Sequence, residues 1–125
     1  MRTHIKTTNT SLTPAIEEYI YKKMEMLDKL IHKDDTSAHV AVEVGKNSEH
    51  HKTGSVFFSE LTMHIAGKDL RVRFDADDIY AAIDKAKDEM MHALRAHRGK
   101  KETLLRRGGI AVKNILKGFN PKRKI

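Results

Sequence analysis

Residues 57–94 read FFSELTMHIAGKDLRVRFDADDIYAAIDKAKDEMMHAL, and the fold turns on a change of period inside them. Phe57, Ser59, Leu61, Met63 and Ile65 alternate with other side chains, as do Leu70, Val72 and Phe74. Side chains on a strand point to opposite faces in turn, so each run predicts a half-buried strand. Ala66-Gly67-Lys68-Asp69 supplies a turn between them, which makes the pair a hairpin. Beyond Phe74 the period lengthens. Ile79, Ile83, Ala86, Met90, Leu94 and His97 make one stripe of a helix, with Asp75 or Asp77 expected to cap it.

Working back toward the N-terminus, Val40, Val42 and Val44 alternate in a further strand, and Gly45 to Gly54 reads as a polar loop. Asp34-Asp35-Thr36-Ser37 separates that strand from a helix whose apolar face is Ile16, Ile20, Met24, Leu27 and Ile31. Thr13 is its cap, and Pro14 takes the first helical position, where a missing N–H costs nothing. Thr3, Ile5 and Thr7 alternate with Arg2, His4 and Lys6 in a first strand over residues 2–8.

Four strands with one apolar face each and two helices with one stripe each predict an α+β fold. The expected architecture is a two-layer β-α-β-β-β-α sandwich, a four-stranded sheet with both helices on one face. The first two strands should run parallel through a right-handed crossover, and the others should form an antiparallel meander. The opposite sheet face would then show Arg2, His4, Lys6, His39, His64, Arg71 and Arg73, with Glu43 and Glu60 among them.

The chain has 125 residues and a formal charge of +7, and the charge is unevenly spread. Residues 1–98 carry 15 Lys/Arg against 16 Asp/Glu, whereas residues 99–125 carry nine Lys/Arg against Glu102 alone. This predicts a neutral domain over 1–98 and a cationic tail over 99–125, and the natural partner of a dense polycation is RNA. Within the tail, Val112, Ile115, Leu116 and Phe119 fit a short amphipathic helix. Three uses compete for it, in this order: an arm that folds on RNA, a membrane-surface helix, and a docking or oligomerisation helix. The body alone gives no reason to expect an oligomer.

The absence of cysteine excludes disulfides, thiolate metal sites and a cysteine nucleophile. No apolar run approaches the roughly 20 residues of a membrane span, so a soluble, cytoplasmic protein is expected. His50-His51 lacks carboxylates at metal spacing, and Gly108-Gly109 precedes no Lys-Ser pair. No nucleophile stands at a motif spacing from a base. The expectation is a protein without catalysis, metal or cofactor.

Two surfaces compete for RNA. At 100° per residue, Lys22, Lys29 and Lys33 share one flank of the first helix, opposite Glu17, Tyr21, Glu25, Asp28 and His32. Lys23 breaks the apolar arc itself. On the second helix Lys87, Met91, Arg95 and Arg98 share a flank that runs into Lys100 and Lys101, while Glu89 lies opposite, beside Lys85 and His92. Periodicity alone does not choose between these flanks and the outer sheet face.

Thr13-Pro14-Ala15-Ile16 with Tyr19, Ile20, Lys23 and Leu27, then Glu60-Leu61-Thr62-Met63, Leu70-Arg71 and above all Asp77-Asp78-Ile79-Tyr80-Ala81-Ala82-Ile83-Asp84 resemble the ribosome hibernation promoting factors. That family includes the ribosome-associated translation inhibitors and was once labelled sigma-54 modulation. The resemblance spans about residues 1–101 and implies the same β-α-β-β-β-α fold. It also implies a translation regulator of starvation or stationary phase that binds 16S rRNA of the small (30S) ribosomal subunit in the mRNA/tRNA channel, blocking initiation on idle ribosomes. A second hibernation factor is an implied partner. Read together with the charge pattern, it assigns rRNA binding to Lys22, Lys23, Lys29, Lys87, Arg95, Arg98, Lys100, Lys101, Arg106 and Arg107, with His97 beside them. Asp77, Asp78, Tyr80 and Asp84 take capping and packing roles. Met26, Glu89 and His92 depart from positions that are commonly basic in that family. The competing reading is a general RNA-binding module, or a regulator away from the ribosome, that acts through the cationic tail.

Overall fold

The structure is a computed structural model that describes residues 1–47 and 56–97. His50-His51, Arg98, Lys100, Lys101, Arg106, Arg107 and the amphipathic stretch 112–119 lie outside the described residues. Five elements run β1 (Arg2–Thr8), α1 (Pro14–Asp28), β2 (His39–Lys46), β3 (Phe57–Ile65) and β4 (Lys68–Ala76). A second helix, α2, follows over 79–97. The sheet order is β1-β2-β3-β4, with β1 parallel to β2 and the other pairs antiparallel. This is the predicted α+β order. Met1–Ala93 form one compact unit, and Leu94 begins a second.

The register stacks apolar residues in rows across the sheet. Ile5, Val42, Leu61 and Val72 face one another in one row, and Thr3, Val40, Met63 and Leu70 in the next. Ile16, Ile20, Met24 and Leu27 of α1 and Ile79, Ala82, Ile83, Ala86 and Met90 of α2 are buried with them. Burying each of the large side chains contributes about 1.5–3 kcal/mol. A third row, Thr7, Val44, Ser59 and Phe74, contains a polar defect. Ser59 is fully buried, and its hydroxyl has no hydrogen-bond partner among the described residues.

Gly45 belongs to the ladder rather than opening the loop as expected, because β2 runs on to Lys46. The parallel pairing brings β1 so close that a Cβ at Gly45 would stand 2.0 Å from the carbonyl oxygen of Thr8. Only glycine permits that approach.

The helix ends refine the expectations. Thr13 is extended, and its side chain accepts the Ile16 N–H at 3.2 Å, as predicted. The C-terminus comes early. Lys29 is the C-cap, and the N–H groups of Leu30 and Ile31 bond the carbonyls three residues back at Leu27 and Asp28. Ile31 and Lys33 therefore lie beyond α1, and the helical angle that grouped Lys33 with Lys22 and Lys29 no longer applies.

At α2 the cap is Asp78, not Asp75 or Asp77. Its carboxylate accepts the Ala81 N–H at 3.0 Å and its carbonyl accepts the Ala82 N–H. The reason is that β4 extends to Ala76 and pairs Asp75 with Phe58, which moves the helix start downstream.

The β3–β4 turn narrows to Ala66 and Gly67, both at positive φ (48° and 77°). Alanine in that region costs about 1–2 kcal/mol, and Asp35 offsets it. The Asp35 carboxylate accepts the Ala66 N–H at 2.8 Å and the N–H and hydroxyl of Ser37 at 3.2 and 2.8 Å. Those bonds, the Ser37 hydroxyl first, hold its pKa below the usual carboxylate value.

Candidate nucleic-acid interface

The outer sheet face is charged and in part self-paired. Arg2, Lys6, Arg71 and Arg73 share it with Glu43, Glu60, Asp69 and Asp75. Glu60 takes Arg71 at 3.0 Å and Arg73 at 3.7 Å. Arg73 further pairs with Asp75 at 3.5 Å, donates to the Asn47 side-chain oxygen at 2.8 Å, and lies 4.1 Å from the Phe58 ring centre. His64 donates to Asp69 at 2.7 Å and stacks on His39, whose Nδ1 donates to the Ser37 carbonyl. The Thr8 hydroxyl donates to Glu43 at 2.6 Å. Arg71 and Arg73 are thus taken up by carboxylates, while Arg2 and Lys6 make no ion pair among the described residues.

The helix side differs. Lys22 on α1, Lys29 at its C-cap, and Lys85 and Arg95 on α2 are all exposed. Among the described residues, none of the four makes an ion pair. Hydrated, unpaired ammonium and guanidinium groups exchange water and counterions for phosphate readily.

Two other lysines expected to meet RNA are held inside the layer. Tyr19 and Lys23 of α1 stand four residues apart, as do Tyr80 and Asp84 of α2, so each pair falls on one face of its helix. The pairs mesh. Tyr19 meets Tyr80 edge-on with ring centres 4.9 Å apart, and the Tyr19 hydroxyl donates to Asp84 at 2.6 Å. Lys23 reaches the same Asp84 oxygen at 3.3 Å and lies 4.9 Å from the Tyr19 ring centre. The hydrogen bond to Asp84, then burial, pushes the Tyr19 hydroxyl up to about 12.

Lys87, one turn beyond Asp84 on α2, is buried and donates to Asp88. That bond chiefly lowers the Asp88 pKa, and the charge of Lys23 adds to the effect. Tyr19 and Asp88 had no predicted part in this cluster. The repeated aromatic-then-charge spacing of four on both helices was the available signal, and Lys23 in an apolar arc was the anomaly that pointed to it. Asp78 and Asp84 have the capping and packing roles that the sequence suggested.

Among the described residues, no group of three or more His, Asp or Glu side chains could hold a metal ion. Nor is any helix of those residues long and apolar enough to cross a membrane.

Comparison with known proteins fits this geometry. The chain is 25% identical over 100 residues to the ribosome hibernation promoting factor of Salmonella typhimurium, covering 80% of this chain and 96% of that protein. The crystal structure of the Thermus thermophilus Protein Y N-terminal domain is similar at a TM-score of 0.63 and 25% identity, covering 78% of this chain and 99% of that one. A ribosomal subunit interface protein from Coxiella burnetii shares the fold at a TM-score of 0.64 and 14% identity, over 79% of this chain and 99% of that one. The family described as sigma 54 modulation protein / S30EA ribosomal protein matches residues 3–102, four-fifths of the sequence. The chain belongs to that family, the one to which its resemblance to the ribosome hibernation promoting factors pointed.

Proposed function

We propose that this protein binds the small ribosomal subunit through 16S rRNA, lies in the channel used by mRNA and tRNA, and blocks initiation on idle ribosomes in the cytoplasm. Occupancy alone achieves this, so no side chain has to perform chemistry. The observation that supports the reading is a difference in pairing. Arg71 and Arg73 of the sheet are held by carboxylates on the same face, whereas Lys22, Lys29 and Lys85 are exposed and unpaired among the described residues. Family membership supports rRNA as the polyanion. Arg98, Lys100, Lys101, Arg106 and Arg107 extend the same charge along the chain, and residues 99–125 act as an added arm on the 1–98 domain.

Co-sedimentation of the full chain with purified small and large subunits at near-physiological salt tests this. The expected result is retention on the small subunit alone, lost on addition of mRNA with initiator tRNA. Equal retention on the large subunit or on bulk RNA would instead describe a general RNA-binding module.

A further inference from the structure

The two held lysines differ from their acid partners in depth. The Lys23 side chain is 21% exposed and Asp84 is 42% exposed, while Lys87 is 10% exposed and Asp88 is 61% exposed. An approaching polyanion therefore meets the carboxylates before it meets the ammonium groups.

We propose that Asp84 and Asp88 are specificity-determining residues that mask Lys23 and Lys87 from RNA of the wrong shape. This rests on the rRNA-binding reading and adds a reason for selectivity to it. A phosphate can take Lys23 or Lys87 only by displacing a carboxylate already in place, and a like charge stands at the entrance. Flexible RNA has no fixed geometry with which to offset that cost at each lysine. A rigid surface that engages Lys22 and Lys29 together offsets it once, through the whole contact. The masking thus lowers affinity for loose RNA more than affinity for a folded ribosomal surface, which is discrimination by an added repulsion rather than an added contact.

Asp84 has a second duty that makes it the harder residue to probe, because it also accepts from Tyr19. Asparagine keeps a side-chain oxygen for that bond while removing the charge. Asp88 bonds Lys87 within its own helix, so D88N tests the idea without disturbing the contact between helices.

The test measures binding of the full chain to poly-uridine and to small subunits across a salt series, for wild type, D88N and D84N/D88N. Freeing each lysine should add one phosphate contact on the single strand. The plot of log affinity against log salt should then steepen by about 0.7 for D88N and about 1.4 for the double variant. Poly-uridine affinity should rise at low salt while small-subunit affinity changes less, so the ratio between them falls. An unchanged slope in D88N, with its melting curve intact, overturns the masking. The wild-type arm reports separately on the underlying reading, since wild type without preference for the small subunit contradicts ribosome binding whatever the variants do.

Discussion

The two faces of this small domain carry similar kinds of charge and use them differently. On the sheet, Glu60 bridges Arg71 and Arg73 and Asp69 accepts from His64 across neighbouring strands, while Arg2 and Lys6 make no ion pair among the described residues. On the helix side, Lys22, Lys29, Lys85 and Arg95 have no ionic partner among the described residues, while Lys23 and Lys87 each have one. Cross-strand register places side chains about 5 Å apart in fixed pairs, which favours internal neutralisation. A helix flank spreads its residues along a convex surface and leaves them to solvent. A count of basic residues does not show which of them are held by an acid, and the pairing does.

The largest expected effect breaks the comparison directly. K22A/K29A/R95A should weaken small-subunit binding roughly hundredfold, a factor of about five for each lost phosphate contact. Its urea midpoint should be unchanged. R71A/R73A should do the reverse, leaving binding within about twofold and costing no more than about 1 kcal/mol of stability. Filter-binding and urea titrations of both variants decide it.

Next in size is Gly45→Ala, which tests how tightly the parallel edge of the sheet is built. A methyl group 2.0 Å from the Thr8 carbonyl oxygen forces β1 away from β2. A loss of about 3 kcal/mol is expected in denaturant unfolding.

Tyr19→Phe sharpens the helix side of the contrast, because it removes the bond that anchors Asp84. A loss of about 0.5–1.5 kcal/mol is expected. The pH dependence identifies the cause. The folded-state pKa of about 12 exceeds the ordinary value of 10.0, so the stabilisation is complete below pH 10 and disappears as pH rises through 12. Thermal melts between pH 9 and 12 should show that loss in the wild type, and a flatter response in the variant.

The smallest effect concerns the core that both faces share. Ser59→Ala removes a buried hydroxyl without a hydrogen-bond partner among the described residues and should raise stability by about 1 kcal/mol, read from the urea midpoint. A loss instead would mean that the hydroxyl is satisfied.

Most of the fold was legible in the sequence because period alone carries it. Alternation at Phe57–Ile65 and Leu70–Phe74, and spacings of three and four at Ile16–Leu27 and Ile79–Met90, became strands and helices with the expected inner faces. The element ends were less legible, for a local reason. Asp75, Asp77 and Asp78 are all good caps, and which one serves depends on where the β4 ladder stops, a fact set by pairing with β3. The site was legible in part. Helical angle placed Lys22 and Lys29 on a flank of the first helix and Arg95 on a flank of the second, but the capture of Lys23 by Asp84 joins residues 61 positions apart across two helices. No local period records such a contact. Nor could composition reveal that the sheet's arginines are neutralised, since Glu60 serves two of them only through the β3–β4 register.

The central claim is that the helix flank, and not the sheet, meets the ribosome. Lysine acetylation of the chain, free and bound to small subunits, with modified positions read by mass spectrometry, tests it most directly. Lys22, Lys29 and Lys6 are all exposed in the free protein, and Lys6 lies on the outer sheet face. The account predicts that the subunit protects Lys22 and Lys29 and leaves Lys6 reactive. Protection of Lys6, with Lys22 and Lys29 still modified, would contradict it.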